Sequence, residues 1–231
     1  MISRNEQRCL GHYKKKWMIK LRALLVLNGE IKDLCTLSRL GDEADFILCA
    51  DGGANYCFQA SLLPDRIIGD LDSISGQVFK AMKQNGIPIE QFPTKKDATD
   101  AELSIDYLIE RGFKYITIVG AMGSRMDHTL GNVLLLNKML QNNISGRIMD
   151  DNNIIYLVDN ELKLEKDDGV YISLIPITDN GAVVTLEGFE YELNESRIDF
   201  ASTLGISNRI VEKQGHILVH RGRCLIILSR D

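Results

Sequence analysis

Several common signatures are missing from this sequence, and each absence closes off a class of function. No CxxC pair occurs among the five cysteines, Cys9, Cys35, Cys49, Cys57 and Cys224. An odd, scattered set argues against a disulfide framework or a zinc site and fits reduced thiols in the cytoplasm. No apolar run approaches the ~20 residues that a membrane helix needs. The short run Ala23–Leu27 follows a basic N-terminus and has no convincing cleavage site, so no membrane partner is expected. No long basic face exists beyond that N-terminus, and a net charge of −5 argues against general nucleic-acid binding. GxxxxGK[ST] and GxGxxG are both absent, which removes the ordinary nucleotide signatures. Without a GxSxG elbow a serine hydrolase is not expected. There is no internal repeat and no low-complexity segment.

What is present fits one large domain or two modest ones. The chain has 231 residues, 45% of them apolar and 26% charged, ordinary for a globular protein with an ample core. Residues 1–17 read as a mobile basic extension, with Met18 an alternative start. From residue 18 to about 145, apolar strands alternate with helices. Leu21–Leu27, Phe46–Ala50, Arg66–Ile68, Ile87–Phe92 and Tyr115–Val119 are the expected strands. Leu34–Leu40, Ser75–Asn85, Thr99–Arg111 and Thr129–Leu140 are the expected helices. This alternation implies a three-layer, mainly parallel α/β sheet. After the polar stretch Asn142–Gly146, read as a linker, come only short apolar runs separated by turn residues. Residues 146–231 are therefore expected to form a smaller antiparallel β-sandwich.

Ile67-Ile68-Gly69-Asp70-Leu71-Asp72-Ser73 is the stretch around which the candidate chemistry gathers. If strand alternation continues through it, Asp70 and Asp72 face the same side. Two such carboxylates repel each other unless a cation lies between them, and hard oxygen ligands suit Mg²⁺. The competing reading is a pair of solvated turn residues. In Asp51-Gly52-Gly53-Ala54-Asn55 the glycines at a strand-to-helix junction allow a ligand to approach the backbone, although a tight turn alone would also need them. Thr99 and Glu102 have capping-box spacing, which accounts for Thr99 and Asp100 without any ligand. In the expected fold Asn28, Asp51, Asp70, Asp72 and Arg125 all gather at the carboxyl ends of the strands, where α/β sheets bind ligands. Acids, one arginine and glycine loops at a sheet edge fit phosphoryl-type transfer, which asks for positioning and charge neutralisation.

A resemblance narrows this further. Asp51-Gly52-Gly53-Ala54-Asn55, Pro64-Asp65 with Ile68-Gly69-Asp70-Leu71-Asp72-Ser73, Lys96-Asp97-Ala98-Thr99-Asp100, Gly123-Ser124-Arg125-Met126-Asp127-His128 and Ile206-Ser207-Asn208 follow one another in order. Together they resemble the thiamine pyrophosphokinase family over about residues 21–228. The resemblance implies an α/β catalytic domain with a C-terminal β-sandwich, and transfer of a diphosphate from ATP to thiamine. It implies Mg²⁺ held by Asp70, Asp72 and Asp100, with Arg125 beside them in catalysis. It assigns Asn28, Asp51, Gly52, Gly53, Lys96, Asp97, Thr99, Arg125, Asp127 and His128 to the nucleotide. His128 stands where many members carry Gln, so its role is open. Tyr191 would stack on thiamine, and Ser207 and Asn208 would hydrogen-bond its aminopyrimidine. A homodimer with the thiamine pocket between subunits is implied as well. Two other classes stay open: a metal-dependent phosphohydrolase or nucleotidyltransferase, and a non-catalytic vitamin- or nucleotide-binding protein.

Overall fold

The computed structural model describes residues 21–93 and 97–230. The basic extension, Cys9 and Lys96 lie outside the described residues.

Short, continuously apolar segments form the first strands because both of their faces are covered. In β1 (Arg22–Val26), β2 (Phe46–Ala50) and β3 (Arg66–Gly69) nearly every residue is buried. They pair in parallel with one another, with β4 (Ile89–Gln91) and with β5 (Tyr115–Val119). Helices α1 (Leu34–Glu43), α2 (Gly53–Gln59), α3 (Gly76–Gln84), α4 (Asp100–Glu110) and α5 (Met126–Gln141) alternate with them. One core lies on the α1–α3 face and contains Leu24, Val26, Leu37, Ile67 and Met82. The other lies beneath α4 and α5 and contains Leu25, Ile105, Leu108, Ile118 and Leu136. Alternate residues of β1 thus enter opposite cores, which produces the three expected layers.

Two details differ from the sequence reading. Asn142 is the C-cap of α5, and β6 (Ser145–Met149) begins three residues later, so the supposed linker is a helix end and the start of a strand. β6 pairs in parallel with β5 and antiparallel with β7 (Asn153–Val158). Gly146 and Arg147 interrupt its apolar pattern, which is why no strand was expected there. Helix α5 also begins three residues earlier than expected and takes Met126, Asp127 and His128 into its first turn.

The sheet therefore runs on from one part of the molecule into the other. Its nine strands are ordered β4-β3-β2-β1-β5-β6-β7-β13-β9, where β9 is Tyr171–Pro176 and β13 is Cys224–Ser229. A separate antiparallel sheet is ordered β11-β10-β12-β8, from β8 (Glu161–Glu165), β10 (Ala182–Glu187), β11 (Leu193–Ile198) and β12 (Gln214–Arg221). It packs on the antiparallel end of the first through Leu174, Val184, Phe189, Ile217 and Ile226, completing the sandwich. Among the described residues no helix is long and apolar enough to cross a membrane.

Candidate functional site

The carboxylates converge through two tight loops rather than through strand alternation. β3 ends at Gly69, and Leu71 then adopts a left-handed φ of 70° that brings Asp70 and Asp72 together. The Asp72 N–H donates to Asp70 Oδ1 at 3.3 Å, and the Ser73 hydroxyl donates to Asp72 Oδ1 at 2.9 Å. Asn55 of α2 holds this loop in place. Its amide donates to Ser73 O at 2.9 Å, and its carbonyl accepts from Ser75 N–H at 3.0 Å. On the neighbouring strand Asp51 also has a left-handed φ, 46°, and its N–H donates to Ile68 O at 2.8 Å. Gly69, at φ 155°, passes so close that a Cβ there would lie 2.9 Å from the Asp51 Cβ. Clustered strain of this kind belongs to sites held by their surroundings. Asn28, at the end of β1, packs against Gly52, where any side chain would collide with its amide.

The result is a trio in which carboxylate oxygens of Asp51, Asp70 and Asp72 all lie within 4.8 Å of one another. Asp72 is exposed, Asp70 half-buried and Asp51 only 8% exposed. Asp51 Oδ1 is buried with no hydrogen-bond partner, a costly state for a carboxylate. Burial is the main force raising the Asp51 carboxyl above its ordinary value; the Ser73 and Gly52 contacts pull it down, and Asp70 and Asp72 push it up. Three hard oxygen donors, one of them orphaned, fit a divalent cation. Sequence reasoning placed Asp51 with the nucleotide instead. The structure seats Asp51 in the trio beside Asp70 and Asp72, and Asp100 stands outside this group. Asp100 is the first residue of α4, where the Thr99 hydroxyl accepts from Glu102 N–H at 3.2 Å, so the expected cap is present. Asp97 is exposed in the loop before it.

Arg125 and Asp127 stand at the start of α5. Arg125 Nε donates to Asp127 Oδ1 at 3.1 Å, and Nη2 reaches the other oxygen. That fork, more than the α5 backbone, holds the Asp127 carboxyl down at about 2. Both groups are largely exposed, as is His128.

Tyr191, Ser207 and Asn208 form a second locus. Tyr191 follows Gly188 and Phe189 in a turn, not in a strand, and is 66% exposed. Asn208 is buried, and both ends of its amide are engaged. Nδ2 donates to Tyr191 O at 2.8 Å, while Oδ1 accepts from Tyr191 N–H at 3.1 Å and Arg209 N–H at 2.8 Å. Its backbone pairs with Ile172 of β9 in both directions. Ser207 is exposed with a left-handed φ of 60°, and its N–H donates to the Ser173 hydroxyl at 3.1 Å. Arg209 lies over the Tyr171 ring and donates to its hydroxyl. β9 is six strand positions from β2, so roughly 29 Å of sheet separates this locus from the carboxylates within one chain.

The fold and the carboxylate edge define an α/β protein with a candidate cation site, joined through its sheet to a β-sandwich. Comparison with known proteins makes this specific. Residues 37–148 match the family described as "Thiamin pyrophosphokinase, catalytic domain", and residues 159–224 match "Thiamin pyrophosphokinase, vitamin B1 binding domain". The chain is 33% identical to the thiamine pyrophosphokinase of Bacillus subtilis over 214 residues, 91% of this chain and 100% of that protein. The crystal structure of the Bacillus subtilis enzyme superposes with a TM-score of 0.82 at 32% identity, covering 91% of this chain and 99% of the other. That of thiamin pyrophosphokinase from Geobacillus thermodenitrificans gives 0.79 at 30% identity, covering 91% and 98%. The chain belongs to the thiamine pyrophosphokinase family.

Proposed function

We infer that the protein is an ATP-dependent thiamine diphosphokinase. The hydroxyethyl oxygen of thiamine bonds to the β-phosphorus of ATP as the bridge to the α-phosphate breaks, giving thiamine diphosphate and AMP. The observation that carries this reading is the Asp51–Asp70–Asp72 trio with its orphaned oxygen, standing in a chain that matches its family across both parts.

Asp51, Asp70 and Asp72 are the residues that would hold Mg²⁺, with Asp100 a further contributor by family resemblance. Bound there, Mg²⁺ would neutralise phosphate charge and orient the transferring group. Arg125 presents a fork suited to phosphate oxygens. Asp127 holds that fork at the sheet edge until a phosphate takes its place. Asp97 and Thr99 stand in the loop before α4 on the nucleotide side, to which the family resemblance also assigns Lys96, with Asn28 and the Gly52-Gly53 turn beneath it. His128 lies in the first turn of α5, beside Asp127. On the thiamine side Tyr191 offers an exposed ring for stacking. Asn208 fixes the Tyr191 main chain and carries Ser207 with it, so its part is to position the loop.

A gap of roughly 29 Å cannot be crossed within one subunit. We propose a homodimer in which the Tyr191–Asn208 locus of one subunit meets the carboxylate edge of the other. Exposed apolar side chains support this arrangement. Met126, Leu130 and Leu134 form a stripe along α5 with exposures of 57–62%, and Leu204 and Ile206 stand out beside Ser207. The four described cysteines are free thiols, in keeping with a cytoplasmic enzyme. The test is an assay of thiamine, ATP and Mg²⁺ analysed for thiamine diphosphate and AMP. Steady release of ADP with thiamine monophosphate would refute the assignment. Mixing Asp72→Ala chains with Asn208→Ala chains, at a thiamine concentration where each alone is impaired, should restore part of the activity. A fully active monomer would rule out the shared site.

A further inference from the structure

The amino ends of β1, β5 and β6 lie at the opposite side of the sheet from the carboxylate edge. Paired residues of neighbouring strands, and residues two apart along one strand, share a face. Arg22 pairs with Tyr115 and Tyr115 with Ser145, while Leu24 pairs with Thr117 and Thr117 with Arg147. Arg147 in turn stands opposite Tyr156 of β7. Both arginines therefore lie on the face that carries Leu24 into the core beneath α1. With Leu40, Glu43 and Ala44 at the end of α1 they line a cleft of about 280 Å³. That volume is near the lower end for small-molecule sites. Ala23 is level with Phe46, so Arg22 is level with Asp45 and roughly 20 Å of strand short of Asp51.

The charge of the cleft is positive and unspent. Arg147, which interrupts the apolar pattern of β6, is half-buried, and its Nε donates to the Thr117 hydroxyl at 3.1 Å. Its two terminal nitrogens keep their fork. Neither Arg147 nor Arg22 has an ion-pair partner among the described residues. A half-buried cation met only by a hydroxyl costs stability unless an anion joins it. Glu43 is the one carboxylate among the described lining residues, and Arg39 already holds it at 3.0 Å. The carboxyl end of α1 adds about half a negative charge to one wall, which two full cations outweigh. Leu24, Leu40 and the Tyr156 ring supply apolar surface beside them.

Two guanidinium groups match a dianion better than a single carboxylate, and a phosphate monoester carries about −1.5 to −2 charges at pH 7. The volume leaves room for one ring beside the phosphate. We propose that this cleft binds a small organic phosphate, with Arg22 and Arg147 on the phosphate and Tyr156 against the ring it carries. The site is separate from the carboxylate trio and does not depend on how that trio works.

Phenyl phosphate, a dianion on a single ring, is the probe. It is titrated by calorimetry without Mg²⁺ into the wild type, Arg22→Gln, Arg147→Gln, Tyr156→Leu and Arg125→Ala. The wild type and Arg125→Ala should bind it alike, and each glutamine variant should weaken it about tenfold. Inorganic phosphate lacks the ring and benzoate the second charge, so both should bind the wild type more weakly. Tyr156→Leu should weaken phenyl phosphate about threefold and leave inorganic phosphate unchanged. Thiamine diphosphate synthesis by both glutamine variants should match the wild type. Arg22 is exposed, so Arg22→Gln keeps the test decisive if Arg147→Gln fails to fold. No binding by the wild type, or undiminished binding by Arg22→Gln, overturns the proposal. Loss of binding in Arg125→Ala also overturns it, because the phosphate then sits at the carboxylate edge. Benzoate binding as tightly as phenyl phosphate would make the cleft a carboxylate site and sink the phosphate assignment.

Discussion

The carboxylate edge and the Tyr191–Asn208 locus treat their polar groups in opposite ways. At the first, three acids lie within 4.8 Å of one another and a buried oxygen of Asp51 has no partner. At the second, a buried amide is satisfied on both sides by the Tyr191 main chain. Fully paired polar groups rigidify a structure, whereas unpaired ones cost stability unless a ligand completes them. The first locus is therefore built for something to arrive, and the second is a finished platform. Substitutions should separate the two, because one site trades stability for function and the other does not.

The largest effect is expected at the trio. Asp72→Asn removes one negative charge and relieves repulsion, so turnover should fall on the order of a hundredfold or more and more Mg²⁺ should be needed. The melting temperature without metal should stay level or rise slightly. A fall in melting temperature together with unchanged Mg²⁺ activation would mean the trio is structural. Arg125→Lys comes next: it keeps the charge and loses the fork, so turnover should drop about tenfold with the fold intact, since the pair is exposed. The same change bears on pH. The Asp127 carboxyl is depressed from 3.8 to about 2 by Arg125. A depressed acid favours the folded state above its ordinary pKa, and that contribution is lost as pH falls from about 4 towards 2. Carboxyl NMR should place the Asp127 midpoint near 2 in the wild type, and nearer 3.8 in Arg125→Ala.

At the platform the pattern should invert. Asn208→Ala leaves the Tyr191 N–H and carbonyl unmatched, so denaturant unfolding should show a loss of about 1–3 kcal/mol. KM for thiamine should rise, with Mg²⁺ dependence unaffected. Equal stability of Asn208→Ala and the wild type would erase the contrast between the two loci. The smallest effect belongs to Asp100, which stands in the first turn of α4. If it serves only the helix, Asp100→Asn costs roughly 0.3–1 kcal/mol and leaves Mg²⁺ activation untouched. A shift in Mg²⁺ activation like that of Asp72→Asn would add Asp100 to the cation ligands.

Much of this arrangement was legible in the residues. Strands such as Phe46–Ala50 and Tyr115–Val119 have the expected bounds, because a continuous apolar run of five residues is a strand buried on both faces. The Thr99 cap was legible because its partners are local in sequence. β6 was not, since Gly146 and Arg147 disguise a strand whose place comes from pairing with both β5 and β7. The place of Asp51 in the trio was hidden for a related reason. Its nearness to Asp70 depends on the parallel register of β2 against β3 and on the left-handed turn at Leu71.

The sequence by itself determined the local elements, the alternation that makes a three-layer sheet and the motifs that resemble one family. Each of these rests on neighbours within a turn or a strand, where propensity and spacing act directly. Tertiary structure alone decided that one sheet continues through the middle of the chain and that Asp51 joins the trio. It also decided that the Asn208 amide closes on Tyr191, 17 residues away, and that the two loci lie at distant ends of one sheet. Those outcomes depend on which strands pair and in what register, and that choice is settled by burying both cores at once rather than by any short stretch of residues.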